Sequence, residues 1–270
     1  MSITKAIIPV AGWGTRMLPI TKAIEKCMLP IGGRPLVDYV VQDCVKAGIT
    51  EIIFVVSEDS AQLRNYYGIN QKLNDYLSAK SKTDKLALVA PIEGVQLHFV
   101  VQPADGRYGT GIPVAIASDF VGDDESAVVL MGDDFIWNED GSSEVARLIE
   151  AVQPGDCGLL AAQVAEEDIQ KYGVIEKDEA DNYVRIVEKP TPEIAPSNLI
   201  NISKYVLTKE VIEACKMLEP SSRGEYELPD AVNNFVAHGG CVKVVPAQGQ
   251  YLDGGSPDGW LHANNVVCGQ

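Results

Sequence analysis

The chain has 270 residues, with 22 Lys and Arg against 38 Asp and Glu, a formal net charge of −16. At 46% hydrophobic and 22% charged it has the composition of a globular protein with a substantial core, and its negative balance argues against nucleic acid or an anionic membrane as partner. Six scattered cysteines with no C-x-x-C pair and only three histidines offer no zinc-type cluster, and no apolar run approaches the ~20 residues of a membrane-spanning helix.

Ala6 to Val10 is an apolar run that predicts a buried strand close to the N-terminus. It leaves no room for a signal peptide and, with cysteines read as reduced, predicts a cytoplasmic protein. The strand enters a glycine-rich turn, Gly12-Trp13-Gly14-Thr15, of the kind whose free N–H groups suit phosphate oxygens. Between Lys5 and Arg34, five bases (Lys5, Arg16, Lys22, Lys26, Arg34) face one acid, Glu25. A glycine turn followed by bases points to an anion site, above all for a polyphosphate. A dinucleotide fingerprint does not fit, because Met17 stands where its third glycine belongs. A P-loop does not fit either, because the chain has no Gly-Lys pair. An ordinary strand-to-helix turn with exposed bases remains an alternative on spacing alone.

Pro35 to Gly48 predicts a helix and Glu51 to Val56 a strand, which together with the first strand make a parallel βαβ unit. Ser60 to Pro91 reads as a surface helix and a flexible excursion with solvated lysines. Strands are expected at Gln96 to Gln102, Ala127 to Met131 and Cys157 to Val164, and helices at Ile112 to Phe120 and Ser142 to Val152. Val174 to Glu176 and Tyr183 to Val187 flank an acidic turn and read as a hairpin. Leu199 to Leu207 and Val242 to Val245 are further strands; Thr208 to Lys216, Tyr226 to Ala237 and Pro257 to Val267 are further helices. The pattern predicts an α/β fold: a Rossmann-like, mostly parallel mixed central sheet with helices on both faces and a small β-rich elaboration after residue 165. A single domain, 1–270, is expected, in two parts, 1–165 and 166–270. Ligands in such sheets lie beyond the carboxyl ends of the strands, where Gly12 to Arg16, Gln102 to Gly111 and Asp133 fall. By residue type alone, Gln102 is equally a surface residue at a strand end, and Glu188-Lys189 equally an exposed hairpin face.

The string G-x-G-T-R-x-L-P-x-T-K from Gly12 to Lys22, followed by K-x-M-L-P from Lys26 to Pro30, resembles the signature of the sugar-1-phosphate nucleotidylyltransferases, and among them the uridylyltransferases acting on glucose 1-phosphate. The similarity continues in order through Tyr172-Gly173-Val174, Val187-Glu188-Lys189-Pro190, Ala195-Pro196-Ser197-Asn198-Leu199, Gly224-Glu225-Tyr226-Glu227-Leu228 and Tyr251-Leu252-Asp253-Gly254-Gly255. The resemblance implies UTP and glucose 1-phosphate as substrates, Mg2+ as cofactor and a homo-oligomer, dimer or tetramer. It assigns Arg16 and Lys26 to the β- and γ-phosphates, and Ala11, Gly12, Gly14 and Thr15 to the nucleotide. Gln102 would read the uracil edge and Gly111 would let the base approach the backbone. Asp133 and Asp253 match the two magnesium carboxylates, while Asp134 should point elsewhere. Lys189 would hold the acceptor phosphate, Glu188 the sugar hydroxyls and Gly173 the sugar by its backbone; Lys22 enters by analogy only. Three positions depart from the family pattern: Cys27 for an acid, Ile112-Pro113 for His-Ala, and Ser203 for glycine. A thymidylyltransferase and a catalytically silent sugar-nucleotide-binding regulator are the alternative functions.

Overall fold

Strand β1 (Lys5–Pro9) is central to the computed structural model, which describes residues 3–270. Successive strand residues point to opposite faces. Ile7 therefore enters one core while Ala6 and Ile8 enter the other, and all three are fully buried. A short hairpin, β2 (Pro30–Ile31) and β3 (Arg34–Pro35), leads into α1 (Leu36–Lys46). Helix α1 buries Leu36, Val37, Val40, Val41 and Cys44, the helical spacing seen in the sequence. It crosses to β4 (Glu51–Val56), which pairs with β1 in parallel.

Three short helices follow, α2 (Gln62–Tyr67), α3 (Gln71–Ala79) and α4 (Thr83–Leu88), instead of one helix and a flexible excursion. Lys80, Lys82 and Lys85 are exposed there, as expected. Strand β5 (Gln96–Val101) pairs in parallel with β4, and α5 (Gly111–Ala117) carries Pro113 in its first turn. Strand β6 (Ser126–Leu130) lies parallel to β1 on its other side. After β7 (Asp134–Trp137) comes α6 (Glu144–Ala151), whose Ala146 N–H donates to the Ser143 hydroxyl, a side-chain cap.

The second half extends the same sheet. Strand β8 (Cys157–Gln163) and the hairpin β9 (Gly173–Lys177) and β10 (Tyr183–Glu188) precede the ten-residue β11 (Leu199–Thr208). Strand β11 pairs antiparallel with β6, β8 and β9. Helices α7 (Lys209–Ala214) and α8 (Leu228–Ala237), strand β12 (Val242–Pro246), strand β13 (Gln250–Asp253) and α9 (Pro257–Val267) complete the chain. The nine-stranded sheet runs β10-β9-β11-β6-β1-β4-β5, with β8 and β12 continuing from β11. Its β6-β1-β4-β5 part is wholly parallel, and helices cover both faces: α1 and α6 on one, α5, α7 and α8 on the other. Strands β7 and β13 form a separate antiparallel pair that the sequence did not signal, since each is only four residues long.

Candidate active site

The loops after β1, β4, β5 and β6 leave the same edge of the sheet and enclose a cleft of ≈ 760 Å³. Ala11, Gly12, Gly14, Thr15, Arg16 and Lys26 line it from the first segment, Gln102 from the end of β5 and Asp133 from the end of β6. The glycine turn is fixed from within. Gly14 has φ +63°, and a Cβ there would stand 2.9 Å from both Lys26 Cβ and Thr21 Cγ2. The Thr21 hydroxyl donates to the Gly14 carbonyl at 2.9 Å. Glycine at this position therefore brings the Lys26 stem against the turn.

Only part of the basic stretch reaches the cleft. Lys5 pairs with Glu125 and Glu51, Arg34 pairs with Asp38 on α1, and Lys22 is exposed. Arg16 and Lys26 remain. Glu25, the lone acid, accepts from the Ser60 hydroxyl and from the N–H groups of Ala61 and Gln62, tying this segment to the start of α2. Counting the whole lining, three bases (Arg16, Lys26, Arg107) face four acids (Glu58, Asp59, Asp133, Glu225). A triphosphate entering this cleft meets less positive charge than the local sequence promised.

The two distant carboxylates are joined by the β7–β13 ladder, in which Asp253 stands opposite Asp134, the residue after Asp133. Lys26 is ion-paired with Asp133, and Arg16 Nη1 lies 4.0 Å from Asp253 Oδ2. Arg16, Lys26 and Asp253 meet around Gly255. A Cβ there would stand 2.7 Å from Lys26 Nζ, 2.9 Å from Asp253 Oδ1 and 3.0 Å from Arg16 Nη2, so a side chain at 255 would displace the ends of all three. Burial would raise the Asp133 carboxyl, but the Lys26 ammonium bonded to it outweighs that and holds it below the usual carboxylate range. Among the described residues no three His, Cys, Asp or Glu side chains gather into a metal cage. Two carboxylates that leave the remaining positions to phosphate oxygens and water are the donor set magnesium commonly takes. The residues present fit that ion.

Asp134 points away from the cleft, as expected, but it is not solvated. It is paired with the buried Lys204 of β11 and accepts from the Tyr251 hydroxyl at 3.0 Å. Burial dominates here and pushes the Asp134 carboxyl up to about 6. Sequence reasoning missed this triad because Lys204 sits in an apolar strand with nothing nearby in the chain to mark it.

Gly173, Glu188 and Lys189, the residues expected at the sugar, lie outside this cleft. Gly173 and Glu188 face each other across the β9–β10 hairpin. Lys189 is exposed, has φ +47° and donates its backbone N–H to the Tyr172 carbonyl at 3.0 Å. Burial and then the Asp253 charge raise the Tyr172 phenol. Arg223 Nη1 lies 3.7 Å from Glu188 Oε1, and Glu225, two residues on, lines the cleft. Gly111 is the assigned residue whose surroundings differ from expectation. It is buried, a Cβ there would stand 2.4 Å from Leu218 Cδ1, and its N–H donates to the Tyr226 carbonyl at 2.8 Å. Leu218 and the Tyr226 carbonyl, rather than an open approach for a base, surround this glycine. Cys27 is buried, and burial, reinforced by Glu25, pushes its thiol up to about 12.

A family model described as nucleotidyl transferase matches residues 5–269. A UTP–glucose-1-phosphate uridylyltransferase of Pseudomonas aeruginosa is 33% identical over 270 residues, covering 97% of this chain and 95% of its own length. A UTP-bound UGPase from Acinetobacter baumannii superposes with a TM-score of 0.87 at 32% identity, over 98% of this chain and 93% of that one. A UDP-glucose pyrophosphorylase solved in complex with UDP-glucose superposes with a TM-score of 0.84 at 29% identity, over 99% of both chains.

Proposed function

The chain belongs to the nucleotidyl transferase family, and we propose that it transfers a uridylyl group from UTP to glucose 1-phosphate. A phosphate oxygen of the sugar attacks the α-phosphorus of UTP in line, a new P–O bond forms, and the bond to the β-phosphate breaks. Pyrophosphate leaves with the electron pair, and UDP-glucose remains. No covalent enzyme intermediate is needed, so positioning and charge neutralisation are the protein's task. The convergence of Arg16, Lys26, Asp133 and Asp253 at one end of the sheet carries this reading.

Arg16 and Lys26 hold the β- and γ-phosphates, where negative charge accumulates as pyrophosphate departs. The turn from Ala11 to Thr15 lies along the nucleotide, and Gln102 offers a donor and an acceptor to the uracil edge. Lys189 binds the acceptor phosphate, Glu188 accepts from sugar hydroxyls, and Gly173 adds backbone contacts. Asp133 and Asp253 would hold Mg2+, which supplies positive charge to the phosphate oxygens when bound. Within one domain, residues 1–165 serve mainly the nucleotide and 166–270 mainly the sugar.

No helix among the described residues is long and apolar enough to cross a membrane. Together with free cysteines throughout the chain, this supports assignment to the cytoplasm. A homo-oligomer is part of the proposal, supported by the exposed apolar side chains Tyr66, Ile69, Leu73, Tyr76 and Leu88 on and around α2–α4.

Pyrophosphate release, measured with UTP and dTTP side by side over a panel of sugar 1-phosphates, tests the function. The expected result is turnover with UTP and glucose 1-phosphate, lost on chelation and restored by Mg2+. A clear dTTP preference overturns the base assignment. Binding of UDP-glucose with no pyrophosphate release from any pair overturns catalysis.

A further inference from the structure

Trp13 is 77% exposed, although it stands in the glycine turn that lines the nucleotide cleft. The other two tryptophans are anchored. Trp137 packs edge-on against Tyr39, and the Trp260 indole donates to the Pro30 carbonyl at 2.9 Å. An indole left in water forgoes the gain of burial, which a ligand covering it would supply. A second aromatic, Tyr108, lines the same cleft at 60% exposure, from the loop after β5. Strand β4 lies between β1 and β5, so the two loops spring from strand ends about 10 Å apart. Both rings are thus exposed to a flat group that enters this cleft. Gln102 lines the cleft from the same segment as Tyr108.

Of the two proposed substrates only the nucleotide carries a flat unsaturated ring. Glucose could also lie against an indole, but Gly173, Glu188 and Lys189 stand outside this cleft. We propose that Trp13, with Tyr108 opposite it, covers the flat faces of the nucleobase whose edge Gln102 reads. The assignment rests on the uridylyl-transfer reading and adds to it the group that holds the base by its face. Stacking tolerates any base, so Trp13 contributes affinity for the nucleoside part while Gln102 discriminates.

The test compares dissociation constants of the wild type, Trp13→Ala and Trp13→Phe for UTP and for inorganic pyrophosphate, which has no base. Trp13→Ala is expected to weaken UTP binding about tenfold and leave pyrophosphate binding unchanged, while Trp13→Phe retains most of the affinity. UTP is expected to quench tryptophan emission in the wild type and not in Trp13→Phe. Unchanged UTP binding in Trp13→Ala overturns the proposal. An equal loss of pyrophosphate binding overturns it too, because the indole would then be holding the turn rather than the base. These binding measurements need no turnover. A wild type that binds UTP through Trp13 but releases no pyrophosphate sinks the transfer reaction and leaves the base contact standing.

Discussion

Two non-glycine residues, Lys189 at φ +47° and Ser203 at φ +51°, are held in the left-handed region. Each costs of order 1–2 kcal/mol relative to an unstrained backbone. Ser203 lies where β11 shifts register against β8, and its N–H donates to the Asn201 side chain at 3.0 Å, a bond that needs no side chain at 203. Ser203→Gly is therefore expected to stabilise by up to about 1 kcal/mol, read as a higher urea midpoint at unchanged slope. Lys189→Gly separates strain from function: stability holds or rises while efficiency falls. Loss of a charge-assisted bond of about 1.5–3 kcal/mol gives a roughly ten- to hundredfold drop, borne by the KM for glucose 1-phosphate and by kcat, with UTP binding little changed. A collapse of UTP affinity instead would move Lys189 to the nucleotide side. The cysteines divide by burial. Cys268 is expected to react with iodoacetamide in the native protein, whereas Cys27, Cys44, Cys157 and Cys215 react only after unfolding, as peptide mass spectrometry would record.

At the scale of elements, sequence and structure agree where burial is local and diverge where it is not. The run Glu51–Val56 forms β4 to the residue, because an unbroken β-branched and aromatic stretch buried on both faces has no competing register. Pro257–Val267 forms α9 with the same precision, since Ser256 caps it and Pro257 opens it. The stretch DFIW of β7 and the stretch QYLD of β13 are too short to show alternation, and each becomes a strand only by finding the other. The basic cluster misled for a related reason: partners such as Glu125 for Lys5 lie 120 positions away and are invisible in the local count. Lys204 ties β11 to β7 through the buried Asp134. Lys204→Ala strands that carboxylate and is expected to cost about 3–5 kcal/mol, while Lys204→Met with Asp134→Asn should recover most of it. Denaturation midpoints of Lys204→Met, Asp134→Asn and the two combined measure the coupling; simple additivity would show that the pair does not hold the strands together.

Over the whole molecule, the candidate site depends on segments that are far apart in the chain and adjacent only once the sheet is built. Asp133→Asn or Asp253→Asn is expected to nearly abolish turnover and raise the magnesium requirement, with circular dichroism and melting behaviour retained; full activity in either variant would remove that carboxylate from the mechanism. Glu225 stood in the sequence only as part of a motif string, and Glu58 and Asp59 were unmarked, because the three meet at the cleft only through the fold. The position of β13 has a temporal consequence. All nine strands of the main sheet are present once Pro246 has been made, whereas Asp253 arrives afterwards on a two-stranded ribbon outside that sheet. A nascent chain can thus acquire its scaffold before the carboxylate proposed for the reaction centre has been made. On the proposed role of Asp253, competence follows the scaffold in synthesis, and a nick between Pro246 and Asp253 is expected to lower turnover while leaving every main-sheet strand in the chain.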